Sequence, residues 1–353
     1  MSATTSSSHD LIAPAAPLPY PLAPRGGPAR LCVVIPLYNE ARVLDRLYAR
    51  LDAVLEQLDL SWSILFVNDG SVDDTVSVLE SLAARDERVR SISLSRNFGH
   101  QGALAAGLDH ADGDLVVTMD ADLQHPPELV SVLVEAWRRG YDVVHTRKRS
   151  VKGLPLWRRL ATKVAYAAIK RVADIEIIPD ASDFRLLDRR ALQALTALPE
   201  RNKLYRGLTP WIGFRQAVVP YDAQARAEGA SRYDVRQLLR LFTRSFFDFS
   251  SAPLHVGFVV GGLAILASFA YVIYSVIVYA TGHHVERGYV TIIFLIVLLG
   301  SINLTFSGIL GIYVARIYNE VRRRPGYVVG REKQEHVSVT DAEREDREHL
   351  HSL

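Results

Sequence analysis

A single cysteine, Cys32, in 353 residues leaves no intramolecular disulfide framework and no multi-cysteine metal site. Charge of one sign is missing too. The 41 Lys and Arg stand against 39 Asp and Glu, so there is neither a basic field for nucleic acid nor the acidic excess of a disordered chain. No Gly-x-Gly-x-x-Gly follows the first apolar strand, and no Gly-x-x-x-x-Gly-Lys-Ser/Thr occurs. Those absences argue against a dinucleotide dehydrogenase and a P-loop nucleotidase. Residues 1–30 lack a basic stretch followed by an apolar one, so they are not read as a secretory signal. With six prolines and little apolar area to offset the entropy of ordering, they are expected to form a disordered Pro-rich tail.

Long hydrophobic runs, by contrast, are present and local. The mean hydropathy of +0.08 is high for a soluble enzyme. Between Asp248 and Glu286 there is no Asp, Glu, Lys or Arg, and a second charge-free run fills residues 288–315. Crossing a bilayer takes roughly 20 apolar residues. Residues 254–281 and 289–315 are therefore expected to be the two transmembrane helices of a hairpin, preceded by a juxtamembrane helix over 236–253. Arg232, Arg236, Arg240 and Arg244 precede it, and Arg316 and Arg322 to Arg324 follow it. This arginine bias places both flanks in the cytoplasm and predicts a multi-pass protein of the plasma (inner) membrane, both termini cytoplasmic. Residues 316–353 read as a basic segment and a solvated tail, 11 of the 23 residues from Arg331 onward being charged. One hairpin offers little packing within the bilayer, so a homo-oligomer is compatible with the pattern, its number unspecified.

From Leu31 to about Asp142, apolar strands (Leu31–Ile35, Ser63–Val67, Val89–Leu94, Leu115–Met119) alternate with amphipathic helices (Arg42–Leu58, Asp73–Ala84, Gly102–His110). Continuous apolar strands separated by such helices predict a doubly wound, mainly parallel α/β sheet covered on both faces. The catalytic domain is expected over 31–235. Ligands of these sheets bind beyond the carboxyl ends of the strands, which singles out Pro36 to Glu40, Asn68 to Ser71, Ser95 to Gly99 and Asp120 to Gln124. Within 145–173, Arg147, Lys148 and Arg149 form a basic cluster. The helical spacing of Leu154, Trp157, Leu160 and Val164, with Arg158, Arg159, Lys163, Lys170 and Arg171, reads as a basic amphipathic helix on an anionic membrane surface, or as a surface helix of the domain.

Asp120 and Asp122 follow a buried strand, where two carboxylates cannot both be satisfied by a core. Oxygen ligands suit Mg²⁺ or Mn²⁺ bridging to phosphates, with Gln124 as a further neutral ligand; a turn capping the next helix is the alternative. Pro36, with no N–H, is expected to stop strand pairing. Tyr38 offers a face for a planar base, and Asp69 an acceptor for a base N–H or a cap for the following helix. Asp183 is read as a site carboxylate or as the partner of Arg185 or Arg189. The histidines show no paired metal spacing and are read as ordinary side chains, with a pocket-lining place for His100 as the alternative.

Several stretches, in this order, are Val34-Ile35-Pro36-Leu37-Tyr38-Asn39-Glu40, Val67-Asn68-Asp69-Gly70-Ser71, Ser95-Arg96-Asn97-Phe98-Gly99, Asp120-Ala121-Asp122-Leu123-Gln124-His125-Pro126-Pro127-Glu128 and Ser182-Asp183-Phe184-Arg185. With the apolar hairpin, they resemble the family 2 glycosyltransferases of GT-A fold, in the branch that transfers hexoses to polyprenyl phosphates. The resemblance covers roughly residues 31–330. It implies that Pro36, Tyr38, Glu40, Asp69 and Asp120 hold the nucleotide, and that Asp120, Asp122 and Gln124 hold Mg²⁺ or Mn²⁺ on the diphosphate. Asp183 would stand at the family's proposed base position. Arg147, Arg158 and Thr162 match the acceptor-phosphate loop and helix. Arg206 would contact phosphate, and Arg232 replaces the Lys of a common Ser-Lys-Tyr. The implied partners are a nucleotide sugar, a polyprenyl phosphate and the bilayer. UDP-glucose with undecaprenyl phosphate is the favoured pair, GDP-mannose the alternative donor, and a silent scaffold of the same fold the alternative of another class.

Overall fold

The computed structural model describes residues 11–15, 17, 18, 20–149, 178, 181–200, 203–222, scattered positions between 261 and 281, and 288–333. It divides into two compact units, one of 1–152, 177–230 and 325–353, the other of 153–176 and 231–324. Among its described residues the first unit carries nine strands: β1 (Ala13–Pro14), β2 (Arg30–Leu37), β3 (Ser61–Asn68), β4 (Val89–Leu94), β5 (Leu115–Thr118), β6 (Val143–Lys148), β7 (Ala181–Asp188), β8 (Gln216–Tyr221) and β9 (Val329–Lys333). Their order in the sheet is β1-β8-β6-β7-β5-β2-β3-β4-β9. Its helices are α1 (Ala41–Leu55), α2 (Thr75–Arg85), α3 (His100–Asp109), α4 (Leu129–Arg138), α5 (Arg189–Thr196) and α6 (Tyr205–Trp211).

Strand alternation sorts the core into two layers. Leu31, Val33 and Ile35 of β2 pack with Leu44, Leu47, Leu51 and Leu55 of α1 and with α2 and α4. Cys32 and Val34 face Ala103, Leu104 and Ala106 of α3 and Leu192 and Leu195 of α5. The block β4-β3-β2-β5 is parallel, as its continuous apolar strands require. The sheet as a whole is mixed rather than mainly parallel. β7 runs antiparallel between β5 and β6, and β1 and β9 are antiparallel edges. After β2 the chain lays β3 and β4 to one side and β5 to the other, so the crevice beyond β2 and β5 is a topological switch point.

Three expectations change. Pro36 does not end pairing on both sides. The Val34 carbonyl accepts from Met119 N, so even-numbered β2 residues turn their polar groups to β5, and the ladder there ends at Val34. On the β3 side pairing continues through Leu37, whose carbonyl accepts from Asp69 N at 2.9 Å. The missing N–H of Pro36 therefore falls only where β5 turns away.

The Pro-rich stretch is not a free tail over its described part. β1 pairs with β8, and Arg25 donates to both the buried Asp142 carboxylate and the Tyr141 carbonyl. Arg215 meets the same Asp142 at 2.9 Å, and Tyr20 packs under the Arg215 guanidinium. Two buried carboxylates, Asp142 and Asp188, require cations, and Arg25 supplies one. Residues 329–333, expected in the solvated tail, form β9 on the exposed edge of β4, held by Ser95 N on the Val328 carbonyl at 2.9 Å and by Arg331 on Glu80. An open edge strand gains hydrogen bonds from any extended segment brought to it.

In the second unit, α7 (Gly288–Val321) is the described helix long and apolar enough to cross a membrane, with an 18-residue window of mean hydropathy 2.1 within the span Leu295–Val321. Its Ile296, Val297, Leu304 and Leu310 are exposed. The hairpin partner 254–281 is described only at scattered positions. The juxtamembrane helix 236–253, the basic helix of 153–173, and Arg158, Thr162 and Arg232 lie outside the described residues.

Candidate active site

Three turns at the carboxyl ends of β2, β3 and β4 are tied to one another. Asn39 adopts a left-handed backbone (φ 56°), its N–H donates to Ser71 Oγ at 2.9 Å, and its side-chain oxygen accepts from Val72 N at 2.9 Å. Gly70 (φ 69°) lies so close to the next turn that a Cβ there would meet the Arg96 carbonyl carbon at 2.6 Å. Asp69 is buried and accepts from Phe98 N at 2.7 Å and Gly99 N at 2.9 Å. It therefore caps neither α2 nor a lone turn; it fixes the loop that delivers His100. Burial raises its carboxyl while the two N–H groups pull it down. Tyr38 stands exposed at the crevice mouth, and Glu40 is the residue before α1.

Beyond β5, the chain turns through Leu123 (φ 60°), with Gln124 N donating to Asp122 Oδ1 at 3.1 Å. Asp120 N donates to His125 Nδ1 at 3.1 Å, which places the His125 proton on Nε2. His125 is buried and stacked on Phe184 with centroids 5.2 Å apart, and its pKa is lowered to about 4 by burial. The ring supports the Asp120 turn as a neutral acceptor. Burial, with the charge of Asp183, pushes the Asp120 carboxyl up, against His100.

Asp183 comes from β7 and is 4% exposed. Its Oδ1 accepts from Arg185 Nη2 at 2.7 Å, and its Oδ2 accepts from Arg206 Nη2 at 2.9 Å and Nε at 3.1 Å. Arg185 is 1% exposed and also donates to the Tyr205 carbonyl and Thr209 Oγ1. His100 Nε2 stands 3.5 Å from Asp183 Oδ2 and 3.6 Å from Asp120 Oδ1, joining the two carboxylates. Burial alone would raise the Asp183 carboxyl, but His100 and the Arg185 and Arg206 charges outweigh it and hold it far below the usual carboxylate range. Of the two readings the sequence offered for Asp183, the pairing with Arg185 is present.

The residues fit a divalent cation in part. Asp120 Oδ1 is buried with no hydrogen-bond partner, an acceptor left for a ligand. Oxygen donors alone suit Mg²⁺ or Mn²⁺. Among the described residues no three His, Cys, Asp or Glu gather into a cage. The Gln124 side-chain oxygen, expected on the metal, accepts from Lys148 Nζ at 3.0 Å. Arg147 is exposed near the end of β6, opposite Ala181. His125 was missed because nothing in a lone histidine reports its stacking; the signal available was its place within the Asp120 to Glu128 stretch.

Solved structures resemble part of the chain at low identity. A Pyrobaculum calidifontis mannosyltransferase in complex with GDP-Man and Mn²⁺ is 21% identical, with a TM-score of 0.40, over 60% of this chain and 62% of that one. A glucosyl-3-phosphoglycerate synthase from Mycobacterium tuberculosis, with Mn²⁺ and UDP, is 20% identical, with a TM-score of 0.42, over 61% and 76%. Sequence relatives run nearly end to end. An uncharacterized glycosyltransferase of Synechocystis is 39% identical over 85% of this chain and 94% of its own length. A bactoprenol glucosyl transferase of Shigella phage SfV is 35% identical over 86% and 99%. Residues 32–196 match the family model described as glycosyl transferase family 2, and with relatives of this identity and coverage the chain belongs to that family of glycosyltransferases.

Proposed function

We propose that the chain is an inverting, metal-dependent hexosyltransferase that moves a sugar from a nucleotide to a polyprenyl phosphate at the cytoplasmic membrane face, with UDP-glucose and undecaprenyl phosphate the favoured pair. The observation that carries this reading is the buried Asp120 Oδ1 at the switch-point crevice, without a hydrogen bond, 3.6 Å from His100 and through it joined to Asp183 and Arg206. The bactoprenol glucosyl transferases among its relatives favour the lipid and the sugar.

The chemistry follows from charge. A phosphate monoester is mostly a dianion at neutral pH (second pKa about 6), so the acceptor needs no base. Its oxygen attacks the anomeric carbon, the bond to the nucleoside diphosphate breaks with its electron pair, and the configuration inverts. Asp183, with both oxygens engaged and its pKa depressed, is a fixed anion that positions Arg206 and His100, not a proton acceptor. Arg206, half exposed and paired with Asp183, would lend its charge to phosphate. Asp120 and Asp122 would hold Mg²⁺ or Mn²⁺, whose charge offsets that of the departing diphosphate. Tyr38, Pro36, Glu40 and Asp69 would bound the base and ribose. Arg147, Arg158, Thr162 and Arg232 would serve the acceptor.

Chain connectivity supports two membrane crossings. β8 and β9 belong to one sheet, and α7 lies between them. A segment that leaves and rejoins the same domain crosses a bilayer an even number of times, so a spanning α7 requires a partner. Every described residue from 261 to 280 is helical, and Leu263, Leu266, Phe269 and Ile277 are exposed.

The test is a panel of nucleotide sugars with the purified full-length protein, Mn²⁺ or Mg²⁺ and undecaprenyl phosphate, the glycolipid being identified by mass. A hexosyl lipid phosphate from UDP-glucose supports the reading. Product from GDP-mannose alone would replace the donor, and no product from any donor would overturn the activity.

A further inference from the structure

The chain that follows α7 returns to the first unit and meets the loop that delivers His100. α7 ends at Val321, and residues 329–333 pair with β4 as β9. The ladder accounts for only part of the contact. Ser93 lies opposite Arg331 and Leu94 opposite Val329, so Gly330 is the extra residue of a bulge. There its backbone presses on the loop: a Cβ on Gly330 would meet Ser95 Cα at 2.9 Å and Ser95 N at 3.1 Å. Ser95 N in turn donates to the Val328 carbonyl at 2.9 Å. Upstream, the Gly326 carbonyl comes so near α3 that a Cβ on Gly102 would stand 3.3 Å from it. Tyr327 donates its hydroxyl to Asp109 Oδ2 at 3.0 Å and sets its ring edge-on to His110 at 6.1 Å. Phe98, Tyr327 and Val329 pack on the same apolar layer. Loop 95–99 is thus held twice. From β3, Asp69 takes the N–H groups of Phe98 and Gly99; from beyond β4, residues 326–330 back the loop and α3. An edge cover needs ladder bonds alone, and two glycine-sized approaches to a loop and a helix go further than that.

We propose that residues 326–330 are a positioning segment for the donor: by fixing loop 95–99 and the start of α3, they set the affinity for the nucleotide sugar without touching it. The inference rests on the glycosyltransferase reading above. The loop carries the two N–H groups that hold Asp69 and ends at His100, which stands 3.6 Å from Asp120 Oδ1 and 3.5 Å from Asp183 Oδ2. A shift of the loop therefore disturbs Asp69 and His100 together. Because the segment follows α7 in the chain, the donor side of the site is complete only when the residues beyond that helix have docked. One methyl group probes the contact. Ordinary contact begins near 3.4 Å, so a Cβ at Gly330 must part the segment from Ser95 by about 0.5 Å.

The test uses the full chain in detergent, as wild type, Gly330→Ala, Tyr327→Phe, Arg331→Ala and Arg25→Ala. Melting temperature, UDP affinity by calorimetry with Mn²⁺, and KM for UDP-glucose and for undecaprenyl phosphate are read on each. Gly330→Ala weakens UDP and raises KM for UDP-glucose about tenfold, the effect of a small misplacement of a binding loop, while KM for the lipid stays within about twofold of wild type. Tyr327→Phe, which removes only the hydroxyl on Asp109, moves the donor constants the same way by about threefold. Arg331→Ala breaks an exposed pair with Glu80, and Arg25→Ala loosens the opposite edge of the sheet; both keep wild-type donor constants, although Arg25→Ala melts lower. A Gly330→Ala variant that melts lower yet binds UDP as wild type does reduces the segment to an edge cover and overturns the proposal. So does a rise of both KM values together, or an equal loss of UDP affinity in Arg25→Ala. Should Gly330→Ala fail to fold, Tyr327→Phe decides, and wild-type UDP affinity there overturns the proposal. A wild type that binds no UDP and transfers no sugar overturns the functional reading itself, an outcome separate from equal binding by wild type and variant.

Discussion

Asp183→Asn separates the proposed positioning role from a base. Arg185 and Asp183 are both buried, their side chains 2% and 5% exposed, and 2.7 Å apart. Removing one charge from such a pair leaves the other without compensation, at about 3–5 kcal/mol. The amide retains an oxygen for Arg185, and Arg185 keeps the Tyr205 and Ser182 carbonyls and Thr209 Oγ1. The lower end, about 3 kcal/mol, is therefore expected, or a fall of about 10 °C in unfolding temperature for a domain this size. The Arg206 contact contributes little to that figure because Arg206 is half exposed and screened. Its consequence is functional: Arg206 and His100 lose the anion that orients them, and turnover falls about 100-fold or more, a loss of about 3 kcal/mol in the transition state. UDP affinity with Mn²⁺ stays near wild type. Melting curves, turnover and calorimetry on one preparation read all three. A variant that melts with wild type, or that turns over normally, would refute the reasoning. If turnover were restored by raising pH, a base role would return.

Other consequences follow from groups away from the chemistry. His145 is buried and its Nε2 donates to Gln216 Oε1 at 2.8 Å, because Gln216 Nε2 is committed to the Thr209 and Pro210 carbonyls. Burial lowers its pKa to about 3, whereas the unfolded chain takes up the proton near 6.5 (about the free-imidazole value). This contribution is therefore complete above pH 6.5 and is lost at about 1.4 kcal/mol per pH unit as pH falls toward 3. Melting temperatures from pH 7 to 5 should fall less steeply in His145→Gln, and equal slopes would contradict the burial argument. Arg25→Ala should cost about 1–3 kcal/mol, since Asp142 keeps Arg215 while Asp188 keeps Trp137 Nε1; no change in stability would mean that the N-terminal segment is not docked in solution. Gly70→Ala must shift the Arg96 backbone or abandon its left-handed φ, costing about 1 kcal/mol or more. It should also weaken UDP, because that turn abuts the loop of Phe98 and Gly99, and unchanged affinity would separate this turn from the nucleotide.

The parallel half of the sheet was legible because β2, β3 and β5 are nearly unbroken apolar runs joined by helices with leucines at helical spacing. The antiparallel half was not. β7 reads Ala-Ser-Asp-Phe-Arg-Leu-Leu-Asp, whose three charges look solvated until Arg185 meets Asp183 and Asp188 meets Trp137. The Pro-rich stretch hid its contacts, Arg25 on Asp142 among them, in a composition typical of disorder. β9 hid in a charged run because an edge strand needs backbone hydrogen bonds more than apolar side chains. At the site, the carboxylates stood out by their place at strand ends. His125 and His100 were obscured because their partners lie 5 to 83 positions away.

The central claim is that sugar transfer to a lipid phosphate depends on a cation held at Asp120 and Asp122. Glycolipid formation by the metal-stripped enzyme, with and without added Mn²⁺, tests it most directly when run beside Asp120→Asn. The account expects no product without the ion, full recovery on its return, and no recovery in the variant; equal product in a chelator, or a fully active Asp120→Asn, would contradict it.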